Sequence, residues 1–161
     1  MGSTPQAVRV DPYRAFNFLI TLVDSASSTG ASSPPQQSQP SGGFSECTGL
    51  DMSLDIEEYK EGGNNGLILR FPTRVKWSNL RLKRGIATSD NLWLWHFGFV
   101  QGKVVRRDGV VTLQDEQQNP VKTWSFKRGL PVKWAGPSLN AAQNQVAIEE
   151  LEIAHEGLKL L

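Results

Sequence analysis

Residues 50–72 read LDMSLDIEEYKEGGNNGLILRFP. Leu50, Met52, Leu54 and Ile56 fall on every second position, with Asp51, Ser53, Asp55 and Glu57 between them. Strand side chains alternate between two faces, so this spacing predicts a half-buried strand within Phe44 to Tyr59. Glu61-Gly62-Gly63-Asn64-Asn65-Gly66 has the composition of a turn, since Gly and Asn tolerate backbone conformations that other residues resist. Leu67, Leu69 and Phe71 resume the alternation up to Pro72. Proline lacks an N–H for the ladder, so it marks an edge or a bulge. Val75, Trp77, Leu80 and Leu82 carry the apolar pattern on to Lys83-Arg84-Gly85.

Working outward, Arg14 to Asp24 (RAFNFLITLVD) puts Phe16, Phe18, Ile20 and Leu22 on one strand face. From Ser25 to Gly43 the composition turns to Ser, Pro, Gln, Gly and Thr. Such a stretch buries too little apolar surface to offset its ordering entropy, and it reads as a mobile loop at 25–43 inside one domain spanning 1–161. Ser89 to Val100 (SDNLWLWHFGFV) is apolar nearly all round behind the capping candidates Ser89 and Asp90, which predicts a short buried helix. Asp108-Gly109 between Val104-Val105 and Val110-Val111 has the signature of a two-residue hairpin turn. A second turn at Glu116 to Pro120 leads into the alternating Val121 to Phe126. Leu130 to Pro137 reads as a Pro/Gly-punctuated connection carrying Trp134. In Val146 to Leu158 strand and helix spacings both fit, and periodicity does not choose between them. The chain is therefore mainly β with one helix, a barrel or a sandwich.

The 161 residues suit one hydrophobic core, and 17 Lys and Arg against 16 Asp and Glu leave a net charge of +1. That balance lacks the basic footprint of a nucleic-acid-binding domain, so no sequence-specific nucleic-acid binding is expected. Little charge repulsion opposes self-association. The N-terminus lacks the apolar core of a secretory signal, and no apolar run approaches the roughly 20 residues of a membrane-spanning helix. The expectation is a protein made in the cytoplasm, without membrane insertion of its own.

Candidate chemistry is thin. His96, His155 and the single Cys47 show no metal-ligand spacing, and a buried cysteine with a histidine on a buried helix is the simpler reading. Glu149, Glu150, Glu152 and Glu156 could hold a cation, but charge runs usually form solvated or interface faces. The glycine-rich 61–66 run lacks a Gly-Lys-Ser/Thr ending and leads into a strand, so it is no phosphate loop. Lys83-Arg84 and Arg106-Arg107 are small basic pairs that read as surface charge. Trp93 and Trp95 read as core; Trp77, Trp124 and Trp134 read as barrel or interface filling. No catalytic residue, metal or cofactor is expected, and the chain reads as a non-enzyme.

Several segments, in this order and spacing, resemble the tube proteins of contractile phage tails and related extracellular injection systems. They are Tyr13-Arg14-Ala15-Phe16-Asn17-Phe18, Phe44-Ser45-Glu46-Cys47-Thr48-Gly49-Leu50, Glu61-Gly62-Gly63-Asn64-Asn65, Leu82-Lys83-Arg84-Gly85, Arg106-Arg107-Asp108-Gly109, Trp124-Ser125-Phe126, Pro131 to Leu139 and Ile148 to Leu158. The resemblance implies an antiparallel β-barrel of about six strands flanked by one helix, with the C-terminal run a strand. It further implies hexameric rings stacked into a hollow inner tube within a contractile sheath, with sheath, baseplate and spike proteins as partners and cargo in the lumen. The long 25–43 loop departs from many main tube subunits, which keeps a baseplate-proximal adaptor ring joining tube to spike as the alternative. A ligand- or carbohydrate-binding β-domain is the more distant one. On this reading Leu54, Ile56, Glu61, Gly62, Gly63, Asn64, Leu67 and Leu69 are expected at the intersubunit interface, with the four apolar residues shared between core and interface.

Overall fold

The computed structural model describes residues 14–15, 17–25, 43–60, 62–63, 66–86, 89–142 and 144–161. Within them the period-two segments form nine strands and the aromatic run forms one helix. These are β1 (Phe18–Asp24), β2 (Glu46–Thr48), β3 (Met52–Lys60), β4 (Ile68–Trp77), β5 (Leu80–Gly85), α1 (Asn91–Val100), β6 (Arg107–Gln114), β7 (Pro120–Ala135), β8 (Ile148–Ala154) and β9 (Leu158–Leu160). Every strand pairing is antiparallel. The expected Ser25 to Gly43 loop lies outside the described residues apart from its two ends.

One large sheet runs in the order β1-β6-β7-β8-β5-β2, with β9 on β7, and a separate ribbon is made of β3 and β4. The expected barrel does not close, because β1 and β2 end the path without pairing to each other. Strand β7 holds the sheet together by changing partners along its length. Its first half pairs with β6 and β9, and its second half, from Leu130, pairs with β8. The bend between them falls at Arg128, whose φ is +53°, followed by Gly129. The segment expected to be a connection, Leu130 to Ala135, is therefore strand. A proline at 131 is tolerated there because the register slips between Pro131 and Lys133.

The core is drawn from both halves of this bent sheet and from the helix. Ile20, Leu80, Leu82, Leu92, Trp95, Val111, Phe126, Leu151 and Ile153 are buried together. The C-terminal run is strand, as the resemblance implied: Glu149, Leu151 and Ile153 point inward while their neighbours are less buried.

The Asp108-Gly109 dipeptide is no turn. Both residues lie inside β6, with Asp108 opposite Val23 and Gly109 opposite Leu22 and Phe126. The glycine is there for space: a Cβ at 109 would stand 2.2 Å from Cζ of the Phe126 ring. Asp108 accepts a hydrogen bond from the Arg128 backbone N–H at 2.8 Å and one from the Ser25 hydroxyl, bracing the β7 bend. The turn expected near Glu116 to Pro120 does form, with the Asp115 carboxylate accepting the N–H groups of Gln117 and Asn119 at 2.9 and 2.8 Å.

Candidate assembly surfaces

The ribbon of β3 and β4 stands apart from the core. None of Leu54, Ile56, Leu67 and Leu69 belongs to the buried cluster. The strand expected to be half-buried is exposed almost throughout, with Met52 at 69% and Ile56 at 56%. The share in the core expected of those four residues is therefore absent: Leu54, Ile56 and Leu67 are exposed and Leu69 is half-buried. Gly62 and Gly63 are exposed at the ribbon tip; Glu61 and Asn64 lie outside the described residues. The bulge expected near Pro72 is present. Asp55 pairs with Arg74 but Ile56 with Pro72, leaving Thr73 as the extra residue. Its hydroxyl donates to the Asp55 carbonyl at 3.0 Å.

The ribbon is rooted by a polar cluster where β4 turns into β5. Ser78 donates from its hydroxyl to the Asp51 carboxylate at 2.9 Å, and Asn79 Nδ2 donates to Glu152 Oε1 at 2.8 Å. His155 Nε2 donates to the Ser78 carbonyl at 3.0 Å, with the Trp77 and Phe126 rings 6.3 and 5.9 Å from its own. Burial pushes the His155 pKa down, and the carbonyls of Ser78 and Gly157 push partly back. Gly49, at φ +91°, lets β2 end hard against this turn: a Cβ there would stand 2.0 Å from the Asn79 carbonyl oxygen. Thr48, Gly49, Ser78, Asn79, Arg81 and Glu152 line a cleft of about 420 Å³.

The helix supplies a second apolar surface. Leu92 and Trp95 face the core, and Trp95 Nε1 donates to the Val105 carbonyl at 2.8 Å. The opposite side is not buried as an all-apolar helix would require: Leu94 is 59% and Val100 72% exposed. Trp93, expected in the core, lies on the rim, edge-on to Trp134 at 4.6 Å and stacked on Phe97 at 5.5 Å. Asp90 precedes the helix without a side-chain capping bond.

The residues with chemical potential are engaged structurally. Glu149, expected on a solvated or interface face, is buried within the chain and paired with the likewise buried Arg84; its second oxygen accepts from Trp134 Nε1 at 2.9 Å. Arg84 also donates to the Ser89 carbonyl at 3.0 Å, tying the approach to α1 onto β5 and β8. Period-two reading missed this group because Arg84 and Glu149 look like ordinary members of charged runs; their in-phase spacing with Leu82 and Leu151 was the available signal. Glu152 is held by Asn79 and Arg81, and Glu156 by Arg106 and Arg128. Lys83 pairs with Glu46 at 3.0 Å, and Arg107 lies over the Trp95 ring at 4.9 Å, so the basic pairs form no open track. Cys47 packs against the core, and burial pushes its thiol pKa up to about 11, which keeps it protonated and a poor nucleophile at neutral pH. Among the described residues no group of three or more His, Cys, Asp or Glu is placed to hold a metal ion. No helix among them is long and apolar enough to cross a membrane.

Known structures share this architecture. A chain of the anti-feeding prophage (AFP) baseplate, seen by cryo-EM with 6-fold symmetry applied, superposes with a TM-score of 0.81 at 26% identity, covering 95% of this chain and 97% of that one. A chain of the PVC extracellular contractile injection system sheath–tube complex, in the extended state, gives 0.77 at 21% identity over 100% and 99% of the two chains. A chain of the AFP tube-terminating cap gives 0.78 at 21% identity, covering 100% and 99%. No curated protein matches the sequence. The family model of the T4-like virus tail tube protein gp19 matches residues 14–159, nearly the whole chain, and the protein belongs to that tail tube family.

Proposed function

We propose that this chain is the inner-tube subunit of a contractile, phage-tail-like injection system, assembling into hexameric rings that stack into a hollow conduit. The observation that carries the reading is the β3–β4 ribbon, which a lone chain would hold in water with Met52, Leu54, Ile56, Tyr59, Phe71 and Val75 exposed. Exposed apolar side chains in that number mark an interaction site. The outer edges of β3 and β4 are unpaired among the described strands, so they also offer backbone groups to a neighbour. Head-to-tail contacts close a ring, while axial repetition does not close and grows a tube. Family membership fits a structural role in which the protein performs no chemistry. It would be a stiff tube inside a sheath, joined to baseplate and spike proteins, with cargo in the lumen.

A second reading, a baseplate-proximal ring joining tube to spike, is favoured by the 26% identity to the AFP baseplate chain. Negative-stain electron microscopy of the purified chain, alone and with the spike protein of the same system, separates the two. Long hollow tubes from the chain alone support the main tube. Single rings that form only with the spike support the adaptor. A monomer under both conditions contradicts the assembly reading.

A further inference from the structure

The β3–β4 ribbon changes its dry side halfway along. Near the root, Met52 lies opposite Trp77, Leu54 opposite Val75 and Ile56 opposite Pro72, so six apolar residues share one face. The other face at the root carries Ser53 opposite Lys76 and Asp55 opposite Arg74, and Lys76 is paired with Asp55 at 2.8 Å. Beyond the bulge the arrangement inverts. Glu58 faces Arg70 at 3.1 Å on the side that was dry, joined there by Lys60 and one apolar residue, Ile68. Tyr59, Leu69 and Phe71 now lie on the side that was wet, together with Glu57.

Thr73 makes the switch on β4. Plain alternation would put Leu69, Phe71, Val75 and Trp77 on one face, but the inserted residue moves Leu69 and Phe71 to the other face from Val75. On β3 the sequence makes the same switch without an insertion, passing from Met52, Leu54 and Ile56 to Tyr59. The two strands change sides at the same level. Ribbon twist reduces this without undoing it: Leu54 and Tyr59 are about 17 Å apart along the strand, over which neighbouring-strand twist turns the ribbon by roughly 100°, so the two patches still look in directions about 80° apart.

We infer that the ribbon is gripped by two different neighbouring copies of this chain, one covering the root patch and the other covering the tip patch from a different direction. The inference rests on the ring-and-tube reading above, and it identifies what that reading leaves open, namely which part of the ribbon meets which copy. A partner approaching from one side would meet an apolar root and an ion-paired tip, or the reverse. Burying the Glu58–Arg70 or Lys76–Asp55 pair against an apolar surface costs desolvation free energy. A subunit in a stack of closed rings has separate copies beside it and above or below it, which supplies two partners on two sides. The bulge is then an assembly determinant, not a local irregularity.

The test places a photo-cross-linking residue at Leu54 in one variant and at Phe71 in another, each in assemblies mixed from isotopically light and heavy chains. Both probes are expected to cross-link between copies, and to capture different peptides of the partner. Capture of the same peptide by both probes, or cross-links only within one chain, overturns the inference. Insertion of one threonine between Asp55 and Ile56 supplies an independent arm, because it gives Thr73 a partner and so returns Tyr59, Leu69 and Phe71 to the Val75 side while leaving the core untouched. The insertion variant is expected to keep the wild-type circular dichroism spectrum but to need a concentration higher by roughly tenfold or more to assemble, the equivalent of one misplaced large apolar side chain. Assembly indistinguishable from wild type overturns the inference. A wild-type chain that never assembles fails the underlying reading, and is told apart by the absence of any particle on the grid.

Discussion

Replacing Gly109 by alanine is expected to destabilise the subunit by about 2–3 kcal/mol, near the upper end of overpacking costs. The added Cβ would lie 2.2 Å from Cζ and 2.3 Å from Cε1 of Phe126, and 3.0 Å from Cδ2 of Leu22. The ring has no room to retreat, because a Cβ at Gly129 would stand 2.7 Å from its Cε2. Phe126 is clamped edgewise between two glycines, at 1% exposure. Gly109 does not occupy the left-handed region, so alanine would otherwise be favoured by about 0.4–1 kcal/mol through the unfolded state; the clash has to exceed that gain. For a chain of this length the net loss corresponds to a fall in Tm of roughly 5–10 °C. Urea unfolding of the unassembled chain, followed by circular dichroism, measures it directly. The Phe126→Leu background provides the control: with the ring removed, the Gly109→Ala penalty is expected to drop by about 1 kcal/mol or more. A Gly109→Ala variant within about 0.5 kcal/mol of wild type, or the same penalty in both backgrounds, would refute the packing argument and point back to an Asp-Gly turn.

Three further outcomes follow from the buried polar groups. Glu149→Ala is expected to cost about 3–5 kcal/mol in urea unfolding, because the Arg84 guanidinium stays buried without its carboxylate and Trp134 Nε1 loses its acceptor; a wild-type midpoint would show the pair to be dispensable. His155, held by burial below its usual value of 6.5, is neutral in the fold at pH 7. The unfolded chain takes up its proton first as the pH falls, so stability is full above about pH 7 and declines as the pH drops through about 6.5 toward the lower folded value. His155→Gln should flatten that decline in a pH series of urea midpoints, and parallel curves would exclude His155 as its source. Cys47, raised to about 11, should react with a disulfide reagent at neutral pH far more slowly in the folded chain than in urea, and equal rates would contradict its burial.

Much of the fold was legible because period-two spacing reports directly which strand faces share an environment. Ile20 flanked by Phe18 and Leu22, and Leu80 and Leu82, land in or against the core as that spacing requires. The C-terminal run needed the family resemblance, since Leu151 and Ile153 share a strand face while Ile148, Leu151 and His155 line up at helical spacing. Two segments were misread for one reason. Asp108-Gly109 and the 130–137 stretch carry turn residues whose purpose is tertiary: glycine at 109 and 129 makes room for Phe126, and Pro131 sits where the ladder slips. Local composition cannot distinguish a glycine needed for a turn from one needed for a neighbour's ring.

The β3–β4 ribbon was legible as two strands but not in its burial. Leu54, Ile56, Leu67 and Leu69 were read as half core and half interface, because alternation in a strand implies one dry face without saying which molecule covers it. In the structure they lie outside the core, and the bulge at Thr73 sends Leu54 and Leu69 to opposite faces. Pro72 was the visible hint. The Arg84–Glu149 pair was hidden by its charge, since a burial pattern is read from apolar residues and this pair occupies two buried positions in ion-paired form.

The central claim is that this chain exists to assemble with itself. Electron microscopy of the purified protein, beside its mass in solution, tests that most directly. Six-fold rings or hollow stacked tubes, with a mass that is a multiple of the monomer, are the predicted result. A monodisperse monomer at every concentration, with or without the spike protein, would contradict the account.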